Sequence, residues 1–95
     1  MEERIFNFNA GPAALPLEVL QEVQAELLNF NQTGMSILEI SHRSPAFEAV
    51  LAETKADIRE LLDLPDAYEI FFMGGGGTLQ FSCVPYNFLT AGKVA

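Results

Sequence analysis

Four consecutive glycines between an apolar hexapeptide and a helix-patterned stretch constrain this chain more than any other feature. Tyr68-Glu69-Ile70-Phe71-Phe72-Met73 is aromatic and nearly all apolar, the pattern of a strand buried in a parallel sheet. Gly74-Gly75-Gly76-Gly77 follows, a backbone free to take positive φ and to lie close against a ligand. From Thr78 to Leu89 apolar residues recur at helical spacing, with Leu79, Cys83 and Tyr86 on one side. Pro85 lies inside that stretch and is expected to kink or shorten it. Val94-Ala95 reads as the onset of another strand, where the chain stops. Helix, helix, strand, glycine loop, helix and strand onset make the first half of an α/β sheet unit.

The glycine loop is also the sharpest chemical signal. Free N–H groups at a helix N-terminus attract an anion, and the helix dipole adds to the field. Thr78 is expected to cap the helix and to offer its hydroxyl to a phosphate oxygen. The loop is not a nucleotide P-loop, because Gly77 is followed by Thr78-Leu79 rather than Lys-Ser/Thr. The dinucleotide fingerprint fails too, since its last glycine would fall on Leu79 or Gln80. The plainer alternative is a tight strand-to-helix turn with no ligand.

Upstream, Ile5-Phe6-Asn7-Phe8-Asn9 alternates like an edge strand or extended arm, and Gly11-Pro12 breaks it. Leu17, Leu20, Val23, Leu27 and Phe30 predict an amphipathic helix over residues 16–30, with Glu18, Glu22 and Glu26 opposite and Pro16 in its first turn. Asn31-Gln32-Thr33-Gly34 is a turn. Ser44-Pro45 predicts a second helix start, with Ser44 as N-cap and Pro45 at the first helical position. Phe47, Val50, Leu51, Thr54, Ile58, Leu61 and Leu62 mark its apolar face over residues 45–63. Its wet face carries Glu48, Glu53, Lys55, Asp57, Arg59 and Glu60, and Leu64-Pro65-Asp66 ends it.

Charge narrows the partners. Thirteen acids against five bases give a net charge of −8, and the bases are scattered, so no basic patch exists for nucleic acid. Such a surface is also repelled by anionic membranes. The single cysteine, Cys83, cannot form an internal disulfide, which fits a reducing compartment. No signal peptide or run of about 18 apolar residues is evident, so a cytoplasmic location is expected.

Ser41-His42-Arg43 precedes the second helix start. Arginine can grip a carboxylate through two parallel hydrogen bonds, and Arg43 adjoins the only histidine. Arg43 as a surface cation paired with Glu39 or Glu48 remains open, as does a purely structural His42. No Ser-His-Asp set or metal-ligand cluster stands out from the helical pattern.

Taken together, Asn7-Phe8-Asn9-Ala10-Gly11-Pro12-Ala13-Ala14-Leu15-Pro16, Ser41-His42-Arg43-Ser44 and Gly75-Gly76-Gly77-Thr78-Leu79-Gln80-Phe81, with Val84-Pro85 and Asn87, resemble the class-V aminotransferases. These enzymes use pyridoxal 5'-phosphate (PLP). The resemblance spans essentially the whole chain but only the opening part of a family member. It implies the type I PLP-enzyme fold, with residues 1–15 as an arm, 16–67 as a helical segment and 68–95 as the start of the PLP-binding large domain. It implies that Gly77 and Thr78 hold the PLP phosphate and that Arg43, with His42 beside it, binds substrate. The implied reaction is amino transfer between O-phospho-L-serine and 2-oxoglutarate, yielding glutamate, in serine biosynthesis, by a homodimer. The lysine that carries the cofactor as a Schiff base is expected downstream. Lys55 on a wet helix face and Lys93 in a turn are not substitutes, so the 95 residues alone are expected to be inactive. The alternative is a non-catalytic anion-binding or interaction remnant.

Overall fold

A computed structural model describes residues 3–94. Three α-helices form: α1 Leu17–Glu26, α2 Pro45–Leu62 and α3 Gly76–Phe88, with a 3-10 turn at Phe30–Gln32. The chain divides into two units, Met1–Ala56 and Asp57–Ala95.

In the first unit, residues 3–9 run without regular structure, and Ile5, Phe6 and Phe8 are exposed. Arg4 donates to the Leu15 carbonyl at 3.1 Å, tying the arm back on itself. The Gly11–Pro12 peptide is cis. Pro16 precedes the first helical residue, Leu17, rather than lying within the first turn.

The predicted helix over 16–30 stops at Glu26. Local polar groups offer the backbone a competing set of bonds. Asn29 Oδ1 accepts from Gly34 N–H at 2.8 Å, Thr33 Oγ1 donates to the Phe30 carbonyl at 2.7 Å, and Phe30 N–H reaches the Met35 carbonyl at 2.8 Å. Asn31 and Gln32 take positive φ of 45° and 60°, which an α-helix cannot continue through. Phe30 therefore leaves the helical stripe and becomes the buried hydrophobic residue of this loop. Ser36, further along the chain, is also buried, its N–H donating to Glu39 Oε1 at 3.1 Å and its Oγ accepting from Leu38 N–H at 3.3 Å.

The start of α2 follows the sequence. Phe47 N–H donates to Ser44 Oγ at 3.3 Å, the N-cap bond, and Pro45 occupies the first helical position. Phe47, Val50, Leu51, Thr54 and Ile58 are half-buried, whereas Leu61 and Leu62 are exposed. Lys55 and Arg59 are half-buried as well, a departure from the expected wet face.

In the second unit, α2 ends in a Schellman motif. Leu64 N–H bonds the Arg59 carbonyl at 3.0 Å, and Asp63 N–H bonds the Glu60 carbonyl at 3.3 Å. Asp63 sits at φ 50°, in the left-handed region that glycine usually fills. Arg59 then reaches past the helix end, donating to the Tyr68 carbonyl at 2.6 Å and the Pro65 carbonyl at 3.4 Å.

Tyr68–Met73 was expected to be a buried strand. Among the described residues there is no strand, and Phe71 and Phe72 are 76% and 56% exposed. A strand exists only through its ladder to a neighbour, and an apolar segment with no paired neighbour stays irregular. The expected strand onset at Val94 is also irregular, and Ala95 lies outside the described residues. The α/β sheet expected from the sequence is thus not formed among the described residues. Among the described residues no helix is long and apolar enough to cross a membrane.

Candidate functional site

The sequence-predicted site residues come in two pairs, one in each unit. His42 and Arg43 lie together in the Ser41–Ser44 turn. Ser41 Oγ accepts from Arg43 N–H at 3.2 Å, and the Ser41 carbonyl accepts from Ser44 N–H at 3.0 Å and Ser44 Oγ at 2.7 Å. The backbone on both sides of Arg43 is held while its side chain stays exposed. Among the described residues Arg43 forms no ion pair; the one ion pair joins Arg59 to Glu69 at 3.9 Å. Glu39, a candidate partner for Arg43, instead accepts from the Ser36 backbone. Arg43 is thus a cation whose guanidinium fork is uncommitted among the described residues.

Gly77 and Thr78 lie in the first turn of α3. The helix begins at Gly76, two residues earlier than expected, and Gly75 rather than Thr78 occupies the N-cap position. Thr78 therefore does not cap the helix; it is its third residue. The reason is conformational: Gly75 at φ 88° and Gly76 at φ 54° make the sharp entry, which a β-branched threonine would resist. The first bond of α3 runs from Leu79 N–H to the Gly75 carbonyl at 3.2 Å. Three N–H groups ahead of it, on Gly76, Gly77 and Thr78, have no helical acceptor. The Thr78 hydroxyl is likewise without a hydrogen-bond partner among the described residues. Four donors of one sign stand at the positive end of the helix dipole. That donor set suits an oxyanion such as phosphate. Gly77 has nothing within 4 Å of the place a Cβ would take, so its backbone is open to close approach.

Pro85 was expected to kink or shorten the third helix, yet α3 runs through it to Phe88. Pro85 has no N–H to offer the preceding turn. Leu89 N–H to the Pro85 carbonyl at 2.8 Å and Asn87 Nδ2 to the Cys83 carbonyl at 2.7 Å hold the end. Next to the donor set, Gly77, Gln80, Phe81, Val84 and Pro85 line an open apolar groove of about 500 Å³. No cluster of His, Cys, Asp or Glu capable of holding a metal ion occurs among the described residues.

Residues 5–94 match the Aminotransferase class-V family. The chain belongs to that family. This class-V aminotransferase chain is 56% identical over 92 residues to the phosphoserine aminotransferase of Geobacillus kaustophilus, with 97% of the chain aligned. Its structure is similar to the phosphoserine aminotransferase of Bacillus circulans subsp. alkalophilus, with a TM-score of 0.91 and 51% identity over 99% of the chain. It is also similar to a PLP-bound phosphoserine aminotransferase from Trichomonas vaginalis, with a TM-score of 0.85 and 45% identity over 90% of the chain. The class-V chain spans 26% of the length of the first two relatives and 23% of the third.

Sequence reasoning missed two residues of the loop. Four identical glycines do not announce which of them turns, and only the backbone shows that Gly75 makes the left-handed entry to α3. Nor does helical periodicity reveal that Leu79 lies over Gly75.

Proposed function

We propose that this chain supplies the cofactor-phosphate loop and a substrate-binding arginine of a PLP-dependent phosphoserine aminotransferase. The observation that carries the reading is the donor set at the start of α3, in a chain more than half identical to phosphoserine aminotransferases. The N–H groups of Gly76, Gly77 and Thr78, with the Thr78 hydroxyl, are donors without acceptors, which is what a bound phosphate requires. Gly77 and Thr78 would hold the PLP phosphate there. When bound, PLP supplies the electron withdrawal for amino transfer.

Arg43 presents a guanidinium fork unpaired among the described residues, and its role is to grip the substrate carboxylate or phosphate by parallel hydrogen bonds. His42, beside it in the same turn, assists with the substrate phosphate. The substrates of this reading are O-phospho-L-serine and 2-oxoglutarate, with glutamate as product, in serine biosynthesis. The covalent step needs a lysine amine outside these 95 residues; Lys93 belongs to the turn after α3, its N–H on the Thr90 carbonyl at 3.2 Å.

In this reading residues 1–15 are an arm, 16–67 a helical segment and 68–95 the opening of the large domain of a type I PLP fold. Tyr68–Met73 takes strand form when sheet neighbours pair with it. The exposed apolar side chains of the arm and of α3 fit a homodimer, and the lone Cys83 fits a cytoplasmic setting.

The test is glutamate formation from O-phospho-L-serine and 2-oxoglutarate by the intact protein, with Arg43→Lys and Thr78→Val beside the wild type. Arg43→Lys should raise KM for the substrate with PLP content unchanged, and Thr78→Val should lower PLP affinity. Glutamate formation that does not depend on phosphoserine would refute the substrate assignment.

A further inference from the structure

We propose that Leu79 is a positioning residue for the anion loop, its side chain locking the left-handed turn at Gly75 that presents the N–H groups of Gly76, Gly77 and Thr78. The inference rests on reading this loop as the cofactor-phosphate site. Of the four glycines, Gly75 alone has a neighbour where a Cβ would stand: Leu79 Cγ lies 2.9 Å from that point, and its Cβ and Cδ2 lie closer. At Gly74, Gly76 and Gly77 the same position is empty to 4 Å. Leu79 thus fills the space a side chain would take at Gly75, while its N–H bonds the Gly75 carbonyl at 3.2 Å.

Leu79 is 46% exposed, so burial does not explain its placement. Its position does explain a mechanical problem. Glycine is the residue with the widest choice of φ and ψ, and a run of four holds no single conformation by itself. An anion site built from backbone N–H groups works only if they converge before the ligand arrives. Leu79 meets Gly75 twice, through its N–H on the Gly75 carbonyl and through side-chain atoms in the space a Cβ would need. The donor geometry is thereby set by a residue that offers the anion no charge.

The experiment compares PLP with pyridoxal, which lacks the phosphate, by equilibrium dialysis against the intact protein. Wild type should bind PLP more tightly. Leu79→Ala should weaken PLP by about tenfold, the scale of one misaligned charge-assisted hydrogen bond, with pyridoxal unchanged. Leu79→Met, which restores bulk, should recover PLP affinity. Equal loss for both ligands, no loss for either, or failure of Leu79→Met to recover would overturn the positioning role. Should Leu79→Ala not fold, Leu79→Val carries the same comparison. A wild type that does not prefer PLP over pyridoxal overturns the phosphate-loop reading itself, a result distinct from failure of the Leu79 inference.

Discussion

Ser44→Ala should destabilise the start of α2 by about 1.5 kcal/mol, and the structure separates the sources. Ser44 Oγ accepts from Phe47 N–H at 3.3 Å, and its loss leaves one N–H of the first turn to water. Removing an N-cap serine costs about 1 kcal/mol, and the long bond argues for no more. Ser44 Oγ also donates to the Ser41 carbonyl at 2.7 Å. That carbonyl keeps the Ser44 N–H at 3.0 Å and lies at an exposed residue, so this loss is about 0.5 kcal/mol. Ser44→Asp distinguishes the two bonds. A carboxylate accepts from Phe47 N–H and gains from the helix dipole, but it cannot donate to Ser41. It should therefore sit within about 0.5 kcal/mol of wild type at low salt, and its advantage over alanine should shrink in 1 M salt through screening. Urea unfolding of the intact protein, followed by the helical circular dichroism signal, reads all three. If Ser44→Ala and Ser44→Asp lose stability equally, the cap is not what holds this helix start.

Four further substitutions test the rest of the structure by the same unfolding assay. Gly75→Ala should cost about 2–4 kcal/mol, since alanine resists positive φ and its methyl meets Leu79; Gly74→Ala, with open space and no positive φ, should be neutral or slightly stabilising, and equal behaviour of the pair would be inconsistent with the observed loop. Asp63→Gly should stabilise by about 1 kcal/mol, because both Schellman bonds are backbone bonds and only the left-handed strain at φ 50° is removed. Arg59→Met should cost about 1 kcal/mol, mainly the bond to the Tyr68 carbonyl, and the loss should vary little with salt, because Glu69 is 3.9 Å away and its side chain is 71% exposed.

Local chemistry made parts of this structure legible. Ser44-Pro45 announced the start of α2 because the cap and the first helical position are filled by residues with one preferred use. Asn31–Gly34 announced a turn, but not that its side chains would reach back to Phe30 and end α1 at Glu26. Tyr68–Met73 has strand composition and no strand form, since pairing belongs to the neighbour as much as to the segment. Arg59 read as a solvated helix cation because periodicity assigns faces and ignores reach; its guanidinium extends nine residues along the chain to Tyr68. At the candidate site, the glycine run announced a turn into a helix, whereas the cap at Gly75 and the cover from Leu79 depend on dihedral angles that four identical residues do not specify.

The acid excess is carried by other elements than the proposed phosphate loop. Glu18, Glu22 and Glu26 belong to α1, and Glu48, Glu53, Asp57 and Glu60 belong to α2. The segment Gly76–Phe88 contains no acid and no base. Any affinity of its first turn for an anion must come from backbone N–H groups, one hydroxyl and the helix dipole. Such donors are weaker than an ammonium at long range and more exacting at short range, since each points in one direction. Their value depends on convergence rather than on charge. That is why the conformation of one glycine and the side chain above it matter more to this site than the net charge of −8. An added lysine in the first turn of α3 would raise the attraction for any anion, while in the proposed site Gly75 and Leu79 set the alignment of the donors.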